Sequence, residues 1–237
     1  MKWLRNETDT ALHYNMCFIG GFLGAYALLL RGGNFGSAQT GNLIEAIICG
    51  TQGNLAEFLI RLLALLIYGA ALVAAYLLSK SYKGDVRPVC IIVEAAGIII
   101  AAVLPGTLNP IVALYPIFCV TAFQWGIFAG AKGYNSATIF STNNIKQMLL
   151  GWTEYIRTKD EKQRAKAAFY TITLVFFHSG VLFGCLAVRL WNVPAVLLCI
   201  LPLGSALALT KRLTEWWKGI ALLNEKSIEP DDEIGLP

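Results

Sequence analysis

Apolar residues run along this chain in long blocks that hold few charges, separated by short polar stretches. A helix needs about 20 mostly apolar residues to cross a hydrocarbon core of about 30 Å. Six blocks approach that length: residues 11–30, 56–79, 88–105, 110–131, 167–190 and 193–210. The pattern predicts an all-α integral membrane protein with six transmembrane helices. The first block follows the polar stretch KWLRNETDT without a small-residue cleavage site, so it reads as a retained span and not as a removed leader.

Two polar stretches interrupt the pattern in related places. RGGNFGSAQTGNL (31–43) follows the first span and KGYNSATIFSTNNI (132–145) follows the fourth. Each carries a T-x-N element ahead of a short apolar helix. Thr40-Gly41-Asn42-Leu43 aligns with Thr142-Asn143-Asn144-Ile145 at an offset of 142 − 40 = 102 residues. Tyr68–Ala74 aligns with His178–Gly184 at 178 − 68 = 110, the charged loop around 157–166 absorbing the difference. The chain thus reads as two three-span repeats, 1–105 and 106–210, with 211–237 appended.

A repeat with an odd number of crossings places its second copy upside down in the membrane. Inverted repeats whose broken helices meet near the midplane are a recurring plan of secondary transporters. Gly32, Gly33, Gly36 and Gly41 tolerate non-helical backbone, and Asn34, Ser37, Gln39, Thr40 and Asn42 can bond the backbone groups that a break leaves unpaired. Such backbone is tolerated at membrane depth only where protein or a watery cavity surrounds it. Thr40 or Asn42 is expected to cap the short helix that follows. Asn135, Thr138, Thr142 and Asn144 of the second stretch, with Gln124 just before it, complete the expected solute-binding set. The alternative reading makes each stretch an interfacial connector at the membrane surface.

Composition agrees with the pattern. Of 237 residues 56% are apolar and 14% charged, against about 45–50% and 25% in soluble domains, and the blocks leave no room for a separate soluble domain. Lys and Arg gather at the N-terminus, at 79–87, at 157–166 and after residue 210, all on one side if every block crosses once. The positive-inside rule makes that side cytoplasmic, with both termini inside a cell (inner) membrane. The net charge of +4 is scattered and gives no basis for nucleic-acid binding. The tail 210–226 alternates basic and aromatic residues and predicts an interfacial helix anchored by Trp216 and Trp217 ahead of a frayed acidic end.

Among single residues, Glu94 lies inside the third span and His178 inside the fifth. A carboxylate or imidazole at that depth faces protein or carries a function, so both are candidates for proton or cation coupling. Glu57 and Arg61 have the i, i+4 spacing of an ordinary pair, and Glu45 suits the positive start of its short helix. Arg31, Arg61 and Arg189 are the main cations on the external side and would attract an anion if they converged. The six cysteines fall singly in apolar segments and read as packing residues. No metal or other cofactor is expected.

The small residues of GGFLGAYALLL (20–30), the segment Phe35–Leu43 ending in T-G-N-L and the six-block layout together resemble the YoaK family of small six-span bacterial membrane proteins, whose function is not established. The resemblance covers most of the chain and implies a six-span layout.

There is no H-E-x-x-H, Walker or G-x-S-x-G sequence, so no enzyme is expected. The expectation is a small secondary transporter or exchanger of a polar solute or ion, embedded in the lipid bilayer as a homodimer. The other readings are an uncoupled channel or facilitator, and a non-transporting scaffold or sensor.

Overall fold

The computed structural model describes residues 2–210; the expected tail helix lies outside the described residues. Helices dominate. α1 (Lys2–Leu30) ends where the chain turns through Gly32 and Gly33, whose positive φ angles of 62° and 75° leave the helical path. α2 (Gln39–Thr51) and α3 (Leu55–Ser81) form a hairpin, with Asn54 capping α3 by accepting from the Glu57 amide at 3.2 Å. α4 (Arg87–Val103) and α5 (Tyr115–Ile127) each carry a proline in the first turn, where its missing N–H costs nothing. α6 (Thr142–Thr158) and α7 (Glu161–Trp191) form a second hairpin, Asp160 capping α7 through the Lys162 amide at 2.9 Å. α8 (Val193–Thr210) starts as a 3-10 turn.

Among the described residues, four helical stretches are long and apolar enough to cross a membrane by length and composition: Asn6–Leu30, α3, α7 and α8. α4 and α5 stand where the third and fourth blocks predict them but have only 17 and 13 residues. At 1.5 Å per residue these reach about 26 and 20 Å, less than a full hydrocarbon core. The fourth block was expected to stay helical to residue 131. Instead α5 stops at Ile127 and a two-stranded hairpin follows, β1 (Gly130–Ala131) paired with β2 (Tyr134–Asn135). Lys132 and Gly133 form its two-residue loop with φ of 54° and 81°, the doubly positive pair that such a turn requires.

The packing partners come in matched pairs. α1 lies on α7 as α3 lies on α5, and α2 folds back on α3 as α6 folds back on α7. The start of α8 rests on α4 and α7. Contact between α1 and α7 is backbone-close: Gly21 faces the Phe177 carbonyl and Gly180 the Phe18 carbonyl, with no room for a Cβ at either. α1 is the most enclosed of the long helices, burying Leu12, Met16, Ile19, Leu23 and Tyr26. The outer faces carry Leu66, Val73, Ile99, Phe183, Leu190 and Leu201 exposed, an apolar exterior suited to lipid.

Candidate functional site

The two broken segments, 31–38 and 128–141, dip inward and reach the same level of the molecule. Phe35 points the Cε2 edge of its ring at Gly24, so that a Cβ there would sit 2.7 Å from it, and the Thr138 carbonyl covers Gly20. These glycines are one turn apart on α1, in the C-terminal half of Asn6–Leu30. α5 holds both segments from the opposite side. Thr121 Oγ1 donates to the Gly36 carbonyl at 3.0 Å, and Gln124 Nε2 donates to Thr138 Oγ1 and to the Met16 carbonyl, each at 3.0 Å. Ser37, Thr138 and Ile139 are fully buried at this crossing. Polar side chains on α1's neighbours therefore supply the bonds that irregular backbone needs away from water.

A cleft of about 350 Å³ opens at the C-terminal end of α1, with Asn34, Phe35, Asn42, Glu45, Arg61 and Phe118 among its walls. Arg61 is 8% exposed and organises it. Its Nη1 donates to Asn42 Oδ1 at 3.2 Å and to Asn34 Oδ1 at 3.3 Å, while Nε stands 3.2 Å from Glu57 and Nη2 3.9 Å from the exposed Glu45. Asn42 Nδ2 returns a bond to the Arg61 carbonyl at 3.2 Å and another to Gln39 Oε1 at 2.8 Å. A second buried arginine, Arg31, is 2% exposed, and its Nε and Nη2 have no hydrogen-bond partner among the described residues.

A second cleft of about 390 Å³ lies toward the N-terminal end of α1, walled by Asp9, His13, Arg87, Phe128 and the β-hairpin. Arg87 bridges it, with Nη1 donating to Asp9 at 2.7 Å and Nη2 to Asp85 at 2.8 Å. Behind the cleft runs a buried chain. His13 Nε2 meets Ser136 Oγ at 3.1 Å, Ser136 Oγ donates to Asn144 Oδ1 at 3.0 Å, and Asn144 Nδ2 donates to the Ala137 and Phe140 carbonyls at 2.8 and 3.0 Å. Tyr170 Oη ties the hairpin to α7 through the Asn135 carbonyl at 2.7 Å, as Tyr68 Oη ties the first segment to α3 through the Ser37 carbonyl at 3.1 Å.

The expected binding residues divide into three groups. Asn34 and Asn42 line the first cleft, and Gln39 joins them through its bond to Asn42. Ser37, Gln124, Thr138 and Asn144 are buried, three of them in bonds that hold the segments; Ser37 Oγ and Gln124 Oε1 have no partner among the described residues. Thr40, Asn135 and Thr142 are exposed. Neither T-x-N element caps its helix by a side chain: α2 starts after Ala38, α6 after Ser141, and both asparagines reach to other backbone instead. Glu94 is fully buried in α4, both carboxyl oxygens without a partner among the described residues, and lines neither cleft. His178 is exposed on the outer face of α7, its Nδ1 2.9 Å from the Leu174 carbonyl. Of the three cations expected on one side of the membrane, Arg31 and Arg61 lie at the first broken segment, while Arg189 is exposed at the end of α7.

His13, Ser136, Thr121 and Arg87 were not singled out by sequence reasoning. His13 was not marked because its partner Ser136 is 123 residues away. Gly133 was a partial signal, since glycine takes the positive φ that a two-residue hairpin loop requires.

A protein-family model described as "Protein of unknown function (DUF1275)" matches residues 12–209. No curated protein and no solved structure matches the chain.

Proposed function

We propose, for a chain that belongs to the DUF1275 family of unknown function, that it is a small secondary transporter or exchanger of a polar solute. The observation that carries this reading is the meeting of two broken segments on Gly20 and Gly24 of α1, with polar clefts opening toward opposite ends of that helix. Along α1, His13 and Arg31 are 18 residues apart, about 27 Å at helical rise. The clefts are then access vestibules to one central crossing. Inverted three-span repeats are supported by the matched packing partners and by the matched order of helix, broken segment and helical hairpin. Six crossings follow if the broken segments complete the short α5 and the loops complete α4.

In this reading the loop charges orient the second cleft to the cytoplasm and the first to the exterior, both termini cytoplasmic. Arg61, Asn34 and Asn42 meet the solute from outside, with Phe35 and Phe118 offering apolar walls. A carrier fits better than an open channel because the buried Ser37, Thr138 and Ile139 stand between the clefts, so passage requires the segments to move. A homodimer would cover part of the exposed apolar face of α7 and shelter His178 there; single-particle mass in lipid discs reads this directly.

Flux or transient current in proteoliposomes, with a panel of small anions, amino acids, sugars and nucleobases, tests the reading under an imposed pH gradient. Saturable flux that falls in Asn34→Ala plus Arg61→Gln supports it. Flux that does not saturate and ignores the gradient would make the protein a facilitator, and no flux from folded protein would leave the scaffold reading.

A further inference from the structure

The buried hydrogen bonds behind the second cleft assign the protons along them. Both amide hydrogens of Asn144 are used, since Nδ2 donates to the Ala137 and Phe140 carbonyls. Its Oδ1 can therefore only accept, and the single hydroxyl proton of Ser136 goes to it. Ser136 Oγ is then left to accept from His13, so the His13 proton sits on Nε2. The other ring nitrogen, Nδ1, keeps its lone pair and has no partner among the described residues, although the residue is 1% exposed and forms part of the cleft wall. A buried acceptor left unbonded is costly, and such sites are a small minority in folded proteins.

We infer that His13 Nδ1 is the proton-binding site of the cytoplasmic cleft, and that a proton there redirects Asp9 away from Arg87. Asp9 and His13 are four residues apart on α1 and so share a face. Asp9 now accepts from Arg87 Nη1 across the mouth of the cleft at 2.7 Å, and Arg87 is held independently by Asp85. A proton from cytoplasmic water adds to the Nδ1 lone pair with no bond broken elsewhere, and the resulting imidazolium competes with Arg87 for the Asp9 carboxylate. Arg87 keeps its Asp85 partner, so the α1–α4 bridge can open without stranding a charge.

The surroundings of the ring suit this. Phe169 of α7 stacks on it at 5.3 Å with an interplanar angle of 23°, a face that favours a cation. Among the described residues, the other titratable or charged groups around it are Tyr14 and Cys17 on α1, Tyr134 and Lys132 of the hairpin, Tyr170 on α7 and Arg87 on α4; Lys132 is 3.1 Å from Glu7. Asn144 is the polar group from α6 at the far end of the chain of bonds. The inference rests on the transporter reading for its purpose, naming the proton as the coupling ion, but its geometry stands apart from any solute.

The test is ¹⁵N-histidine magnetic resonance on the full chain in lipid nanodiscs carrying His178→Gln, which leaves His13 as the sole imidazole of the two in the sequence. The expected neutral form carries its proton on Nε2 and becomes imidazolium on acidification; Ser136→Ala shifts the neutral ring toward the other tautomer. Amide hydrogen exchange around residues 9 and 87 and through 128–144 should rise several-fold on acidification, and the rise should vanish in His13→Gln. An Nδ1–H neutral form, an imidazole neutral at every pH where the fold holds, or an exchange response that survives His13→Gln overturns the inference. None of these readouts requires flux, so a failed transport assay and a failed proton site are separate results.

Discussion

Gly20 and Gly24, one turn apart on α1, each carry one of the two broken segments: the Thr138 carbonyl covers the first and the Phe35 ring covers the second. The two contacts differ in what can yield. At Gly20 an added Cβ meets backbone, whereas at Gly24 it meets the end of a side chain that can rotate.

Gly20→Ala should therefore destabilise the fold by about 1–3 kcal/mol, the usual range for overpacking, and Gly24→Ala by clearly less. Thermal unfolding in detergent or nanodiscs, with the two variants side by side, reads the difference. Equal losses would mean that the crossing yields equally at both positions.

Asn144→Ala removes the acceptor of Ser136 and leaves the Ala137 and Phe140 carbonyls unbonded in a buried place. Each abandoned group costs about 1–3 kcal/mol, so this variant should fold poorly. Asn42→Ala should be milder, because Arg61 Nη1 retains Asn34 and the site borders a cleft that water can enter. Expression yield and unfolding temperature of the pair decide it, and an Asn42→Ala as damaging as Asn144→Ala would argue against a wet first cleft.

Arg61→Gln leaves Glu57 without the cation 3.2 Å away, though Glu57 Oε2 still accepts from Asn109 Nδ2 at 2.9 Å. Glu57 is partly exposed and keeps Asn109, so the fold should survive with a loss of about 1.5–3 kcal/mol, the range for bonds to a charged group, while solute binding at the first cleft falls at least tenfold. Arg61→Lys should not rescue it, because an ammonium cannot hold Asn34, Asn42 and Glu57 in the fixed fork of a guanidinium. Binding measured by tryptophan fluorescence or by flux distinguishes these outcomes.

Glu94→Gln keeps the shape of a side chain that has no hydrogen-bond partner among the described residues, and its stability should stay within about 1 kcal/mol of wild type. If His13 is the coupling site, the pH dependence of flux persists in this variant and is lost in His13→Gln. The opposite pattern would return the coupling role to Glu94.

Much of the helical layout was legible because it depends on local properties. The run ICGTQGNLAEFLIRLL shows Gly53 and Asn54 ahead of an apolar stretch, and α3 begins there with Asn54 as its cap. The place of the first break was equally legible: Gly32 and Gly33 adopt the positive φ that ordinary residues avoid. The length of α5 was not, because Phe128 is as apolar as the residues before it and leaves the helix to enter the hairpin. Within the site, Asn34, Asn42, Gln124 and Asn144 stand beside the breaks. Their use was hidden, since an amide that lines a cleft and one that ties backbone look alike in sequence.

Apolar runs and glycine-rich interruptions by themselves determined the helical class and the place of the first break, because hydrophobic burial and backbone sterics act over a few neighbouring residues. The tertiary structure decided that Gly20 and Gly24 would receive the two breaks, that Arg61 would organise one cleft, and that His13 would join Ser136 and Asn144 behind the other. Those pairings span tens to more than a hundred residues, and which distant polar groups meet depends on how the helices pack.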